Sequence, residues 1–320
     1  MSGVNVNYLR VSVTNRCNLR CIYCNPRGND GFASDREMLS FHEIYRVVRL
    51  CAKCGITRVR LTGGEPLVRE NIVDLVRQLS GISEVEDLSL TTNGVQLEPM
   101  AAELKEAGLT RVNVSLDAAE EACYRRITGS DALAQVMRGI HKAIEVGLTP
   151  VRINCVVLRG MNLAQVPSLA EMSLQRPVSV RFIEYYPTGD QVEPAEWYVP
   201  SRDVRGLIES RLGPLFPVVA AKASGPAVYF RAEGAAGTIG FISGRSSMFC
   251  HRCSRLRLTS DGKFRPCLHS DRSYDVMKLL RNGAGDGVLL SLIAEVIQAK
   301  GRYTKSGPAA RAFSMQQIGG

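Results

Sequence analysis

Six of the ten cysteines fall into two triplets. Cys17, Cys21 and Cys24 have three and then two residues between them; Cys250, Cys253 and Cys267 have two and then thirteen. Three thiolates in one short loop can converge on one metal centre. A closed structural zinc site takes four protein ligands. A four-iron cluster held by three cysteines instead leaves one iron open to a reactant. The first triplet is expected to hold such a cluster, the other readings being zinc with a distant fourth ligand, or chance. Beside the second triplet, His251 or His269 could complete a zinc site, so spacing alone leaves zinc and iron–sulfur open there.

These residues need elements to position them. From residue 7 to about 186 short strands alternate with helices, which implies parallel strands joined by right-handed crossovers. Strands are expected at 8–14, 57–62, 86–91, 110–115, 150–157 and 178–185. Helices are expected near 41–53, 70–79, 98–107, 119–126, 131–145 and 163–173. The first helix opens on a capping box, Ser40 and Glu43, and stops at Gly55. Each strand has one apolar and one polar parity. Leu9, Val11 and Val13 alternate with Arg10, Ser12 and Thr14; Val59 and Leu61 alternate with Arg58, Arg60 and Thr62. Leu88 and Leu90 alternate with Ser89 and Thr91, and Val112 and Val114 with Asn113 and Ser115. Arg152 and Arg181 hold the same polar parity on the last two strands.

Neighbouring side chains on a strand point to opposite faces, so the apolar parity must lie under helices and the polar parity must line something wet or occupied. The fold class expected is α/β, an incomplete (β/α)6 TIM-like barrel with a polar interior, carrying a C-terminal α+β extension. An open sheet with one solvated face is the competing reading. The interior arginines imply an anionic occupant. Residues 1–186 are expected to form the barrel and residues 187–320 the extension. In the extension a few strands precede the second cysteine triplet, and helices follow near 274–282 and 287–299. Arg255 and Arg257 lie two apart and share a face, a pair suited to a triphosphate.

The net charge of +9 suits an acidic partner. No run of eighteen apolar residues occurs, so no membrane span is expected. Met1 to Leu9 lacks a basic region followed by an apolar core, so no export signal is expected either. Clustered cysteines then fit a cytoplasmic setting and metal or redox chemistry better than disulfides. Cys51, Cys54, Cys123 and Cys155 are expected to be packing residues.

The first triplet and its aromatic neighbour Tyr23 resemble the signature of the radical S-adenosylmethionine (SAM) superfamily. Thr62-Gly63-Gly64-Glu65-Pro66, one β/α unit later, resembles that family's GGEP motif. The stretch Phe249 to Leu268 resembles the C-terminal cluster of the GTP 3′,8-cyclase family, which opens molybdenum cofactor biosynthesis. The tail Met315 to Gly320 resembles that family's terminal double glycine. Ser254 stands where the family usually has Asn, Tyr186 and Asn25 where Met is common, and Arg58 and Arg152 where Lys is common.

The resemblance implies two [4Fe-4S] clusters, one on Cys17, Cys21 and Cys24 and one on Cys250, Cys253 and Cys267. It implies SAM contacts by Tyr23, Gly63, Gly64, Glu65, Thr91, Asn93, Ser115 and Tyr186. It implies GTP contacts by Arg10, Arg58, Arg60, Arg152, Arg181, Arg255 and Arg257, with Gly319 and Gly320 reaching the active site. The implied partners are GTP, an electron donor and a downstream pterin-forming enzyme, with a possible homodimer and no nucleic acid or membrane. Other readings are a paralogue acting on another nucleotide, a peptide-modifying twin-cluster enzyme, and a basic zinc protein that binds nucleic acid.

Overall fold

The computed structural model describes residues 5–24, 34–186, 195–218, 225–250, 253–268, 270 and 272–301. Six parallel strands follow the expected order: β1 (Tyr8–Ser12), β2 (Arg58–Thr62), β3 (Asp87–Thr92), β4 (Arg111–Ser115), β5 (Val151–Val157) and β6 (Val178–Glu184). The helices between them are α1 (Phe41–Lys53), α2 (Ile72–Ser80), α3 (Leu97–Glu106), α4 (Glu121–Thr128), α5 (Leu133–Glu145) and α6 (Val166–Gln175). The capping box forms as the sequence implies: Glu43 N donates to Ser40 Oγ at 3.2 Å, and Ser40 N donates to Glu43 Oε2 at 2.7 Å. Cys54 caps the far end of α1, and Gly55 carries the turn beyond it at φ +91°.

The later segments add α7 (Ser201–Leu212), β7 (Leu215–Pro217), β8 (Val228–Ala232), β9 (Thr238–Ile242), β10 (Arg255–Leu258), β11 (Lys263–Arg265), β12 (Tyr274–Asp275), α8 (Val276–Arg281) and α9 (Asp286–Gly301). Helix α7 falls in a stretch expected to hold a few strands. It buries just Val204 and Ile208, one turn apart, and this narrow stripe leaves little apolar periodicity.

All strands join one sheet in the order β12-β11-β10-β1-β2-β3-β4-β5-β6-β9-β8-β7. The extension therefore continues the barrel sheet at both edges: β10 pairs parallel with β1 and β9 pairs parallel with β6. The sheet does not close into a full barrel. On its polar face Arg181 on β6 reaches past β5 to donate to Asn113 Oδ1 on β4 at 3.0 Å. The apolar parity, including Leu9, Val11, Val59, Leu61, Val112, Val114, Ile153 and Val180, is wholly buried beneath the helices. The polar parity is buried too, with Arg10, Ser12, Arg60, Thr62, Ser89, Asn113, Arg181 and Arg257 facing the lumen side. Cys51, Cys123 and Cys155 are buried in the core as expected, and Cys54 packs partly against it. Arg46 and Arg49 both pair with Asp286 at 2.8 Å, holding the start of α9 to α1.

Candidate active site

The loop after β1 carries Cys17, Cys21 and Cys24, and the segment after β2 packs directly on it. Gly64 N donates to Thr14 O at 2.8 Å, and Glu65 N donates to Arg16 O at 2.7 Å. A Cβ on Gly63 would stand 2.5 Å from Thr14 O, and one on Gly64 2.2 Å from Arg16 O. The neighbour that demands these glycines is the backbone of the cysteine loop.

Glu65 ties three segments together. Its carboxylate accepts from Leu67 N at 3.0 Å, from Thr92 Oγ1 at 2.7 Å and from Asn93 N at 2.6 Å. Burial still raises it to about 7. Asn93 then reaches the loop, with Nδ2 donating to Asn18 Oδ1 at 2.7 Å and approaching Cys17 Sγ at 3.9 Å. Thr91 lies on the polar parity beside Asn113, whose Nδ2 is 3.4 Å from Thr91 Oγ1. Ser115 ends β4 and Tyr186 follows β6, so both sit at the same end of the sheet as the first cysteine loop.

Two residues at this end were not singled out from the sequence. Thr92 is the side chain that grips Glu65. Asp117 accepts from the Tyr23 hydroxyl at 2.6 Å and from Val156 N at 2.8 Å, and burial raises its carboxyl to about 6. Its signal was legible, because it extends the polar parity of Asn113 and Ser115.

The donor set fits an iron–sulfur cluster. Burial pushes Cys17 up to about 11 and Cys24 up to about 12, and Cys21 rises through burial, Asp117 and the two neighbouring thiols. A cationic centre is what would hold three such groups as thiolates. Among the described residues no three Cys, His, Asp or Glu side chains stand at the spacing of a single metal ion.

The second triplet lies at the opposite end of the sheet. Tyr8, the first residue of β1, pairs with Arg255, the first of β10, and Tyr8 N donates to Ser254 O at 3.3 Å. Cys253 therefore precedes β10 at the end where β1 begins, while Cys17 lies beyond the end where β1 finishes. The five residues of β1 span roughly 16 Å. Strand β11 runs antiparallel to β10 with Arg265 opposite Arg257, so the chain returns Cys267 to the level of Arg255. Cys253 Sγ accepts from Arg255 Nε and from Lys300 Nζ, each at 3.4 Å. Burial opposes its ionisation, but Arg255 and then Lys300 bring it down to about 6. Cys253 thus lies beside cations, whereas burial dominates at Cys17, Cys21 and Cys24. His251 and His269, together with Asn25, Gly319 and Gly320, lie outside the described residues.

Between the two ends lie the arginines. Arg10 pairs in register with Arg257 on one side and Arg60 on the other, so three guanidinium groups share one level. A cavity at the β1-start end of the lumen is lined by Arg10, Arg58, Arg60, Arg181 and Arg255, with Tyr8, Asp87 and Arg111. Arg152 sits next to Asn113 and Ser179, partly buried. Burial, then mutual repulsion, lowers Arg257 to about 10 and drives Arg10 well below its usual value; burial outweighs a favourable Tyr8 contact to bring Arg60 to about 9. Arg10 Nε and Arg58 Nε are buried without a hydrogen-bond partner. Crowded buried cations with unused donors fit an anion in the lumen.

Residues 11–172 match the model of the radical SAM superfamily, and residues 178–306 match that of Molybdenum Cofactor Synthesis C. A GTP 3′,8-cyclase of Pelotomaculum thermopropionicum is 47% identical over 92% of this chain and 91% of its own length. A GTP 3′,8-cyclase of Moorella thermoacetica is 43% identical over 98% of both chains. Among solved structures, Streptococcus suis SuiB bound to S-adenosylmethionine shares the fold at a TM-score of 0.60 and 15% identity, over 91% of this chain and 68% of its own. The chain therefore belongs to the GTP 3′,8-cyclase family of the radical SAM superfamily.

Proposed function

We infer that the protein is a radical SAM lyase that converts GTP to (8S)-3′,8-cyclo-7,8-dihydroguanosine 5′-triphosphate, the first step of molybdenum cofactor biosynthesis, using SAM and two [4Fe-4S] clusters. One observation carries this reading beyond the family assignment. Two cysteine triplets lie at opposite ends of a lumen filled with buried arginines. When bound, the first cluster and SAM supply abstraction of a hydrogen atom from an unactivated carbon.

The protein supplies position, charge and exclusion of water. Cys17, Cys21 and Cys24 hold the first cluster, and Cys250, Cys253 and Cys267 the second. Tyr23, Gly63, Gly64, Glu65, Thr91, Asn93, Ser115 and Tyr186 surround SAM; Glu65 acts by bracing the loop, since its carboxylate is already engaged by three donors. Arg10, Arg58, Arg60, Arg152, Arg181, Arg255 and Arg257 hold the triphosphate and ribose, and the Gly319-Gly320 tail completes the site. Residues 1–186 form the SAM-cleaving part and residues 187–320 the nucleotide-anchoring part. A cytoplasmic location, an electron donor, a downstream pterin-forming enzyme and homodimer formation complete the proposal. Among the described residues no helix is long and apolar enough to cross a membrane.

The test uses anaerobically reconstituted protein with SAM, GTP and a strong reductant. Formation of 5′-deoxyadenosine together with a cyclised GTP, read by mass spectrometry, is the expected result. Deoxyadenosine without a GTP product would redirect the search to another nucleotide. Zinc in place of iron with no SAM cleavage would sink the reading. Arg257→Ala is expected to weaken GTP binding while both clusters and reductive SAM cleavage survive.

A further inference from the structure

Four buried polar atoms without partners line the same cavity: Tyr8 Oη, Arg10 Nε, Arg58 Nε and Arg111 Nη1. Arg10 and Arg58 are already accounted for by the anion site. Tyr8 and Arg111 are not, yet each is the first residue of its strand, and both belong to the polar parity that faces the lumen.

Tyr8 is an unusual choice for this position. Its ring lies under two guanidinium groups, with the Arg58 and Arg60 carbons 5.4 and 5.3 Å from the ring centroid. A phenylalanine would serve that stacking equally well, since the attraction is to the π face. Among the described residues the hydroxyl is buried and bonded to no group. A buried donor left unpaired destabilises the protein, so its use must lie with a ligand. The cations around it make it a strong donor towards an anion. Arg111 shows the same division of labour. Its Nη2 donates to Asp87 Oδ2 at 2.5 Å, which fixes the plane of the fork, and Nη1 is left over. Asp87 is the one carboxylate among the described residues lining the cavity. It is further fixed by a hydrogen bond from Thr110 Oγ1 at 3.2 Å.

We propose that Tyr8 and Arg111 are further substrate-contacting residues, which donate the Tyr8 hydroxyl and Arg111 Nη1 to phosphate oxygens of the bound nucleotide. Asp87 is the positioning residue that aims Arg111. The assignment rests on the functional reading above and deepens it: the arginine lumen ends in a neutral donor and a braced fork, a floor built for a polyphosphate.

The experiment compares equilibrium binding of GTP and of guanosine to the reconstituted wild type, Tyr8→Phe and Arg111→Lys. Tyr8→Phe is expected to lose GTP affinity about ten-fold, the scale of one charge-assisted hydrogen bond, with guanosine affinity unchanged. Its ligand-free melting temperature is expected to match or exceed that of the wild type, because an unpaired buried hydroxyl has been removed; a merely structural role would lower it. Arg111→Lys keeps the charge and the Asp87 partner but loses the fork, and is expected to show the same GTP-selective loss. Unchanged GTP affinity in both variants, or an equal loss for guanosine, overturns the proposal while leaving the functional reading intact. A wild type that binds no GTP overturns both.

Discussion

Gly64 and Lys300 show how single residues set what each cysteine triplet can hold. At Gly64 the constraint is steric, since an added Cβ would sit 2.2 Å from the Arg16 carbonyl oxygen in the cysteine loop. Backbone cannot yield there without moving Cys17. Gly64→Ala is therefore expected to lose the first cluster and keep the second, so that reconstituted iron falls to about half the wild-type content and deoxyadenosine formation stops. Full iron content would show that the loop accommodates the methyl group. At Lys300 the effect is electrostatic. A buried ammonium donating to Cys253 Sγ at 3.4 Å favours the more negative, reduced state of any cluster on that thiolate. Lys300→Met is expected to lower the midpoint potential of the second cluster and leave the first unchanged, as read by redox titration with electron paramagnetic resonance. An unmoved potential would remove Lys300 from the cluster's surroundings. Neither contact could be read along the chain, because Gly64 meets Arg16 and Lys300 meets Cys253 only through the fold. The glycines were legible as special, but the neighbour that makes them so was not.

The strands carried most of what was legible. Period-two alternation in β1 to β6 told which face lies under helices and which faces the lumen, and the buried sets follow it. It failed where pairing is non-local. Nothing in 238–242 or 255–258 says that one segment extends β6 and the other β1. The crowding of arginines at one level, Arg257 beside Arg10 beside Arg60, depends on that register and has a measurable consequence. Burial disfavours the charge on Arg60 and Arg257, and neighbouring cations add to it. A guanidinium nevertheless keeps its proton in a protein, so the crowding persists as a stability cost in the ligand-free fold. Ligand-free Arg60→Gln is therefore expected to melt above the ligand-free wild type. Inorganic tripolyphosphate should raise the melting temperature of the wild type more than that of Arg60→Gln. An equal tripolyphosphate effect in the two proteins would mean that the anion binds elsewhere.

At the scale of the whole molecule the two triplets are separated along the strand direction by β1 itself. Cys17, Cys21 and Cys24 follow its end; Cys250, Cys253 and Cys267 gather where it begins, alongside β10 and β11. The buried contacts that organise each end are separate: Glu65, Thr92, Asn93 and Asp117 at one, and Arg255 and Lys300 at the other. Among the described residues, what links them is the lumen, whose arginines would meet the nucleotide from both sides. This arrangement predicts independence of the cofactors and dependence of the product. A triple Cys250→Ala, Cys253→Ala, Cys267→Ala variant is expected to assemble the first cluster and release deoxyadenosine from SAM, yet to form no cyclised nucleotide. The reciprocal triple variant at Cys17, Cys21 and Cys24 is expected to cleave no SAM but to bind GTP within about three-fold of the wild type. Loss of GTP binding in that variant would mean that the ends are coupled through the sheet, and that the first loop shapes the nucleotide site as well as the SAM site.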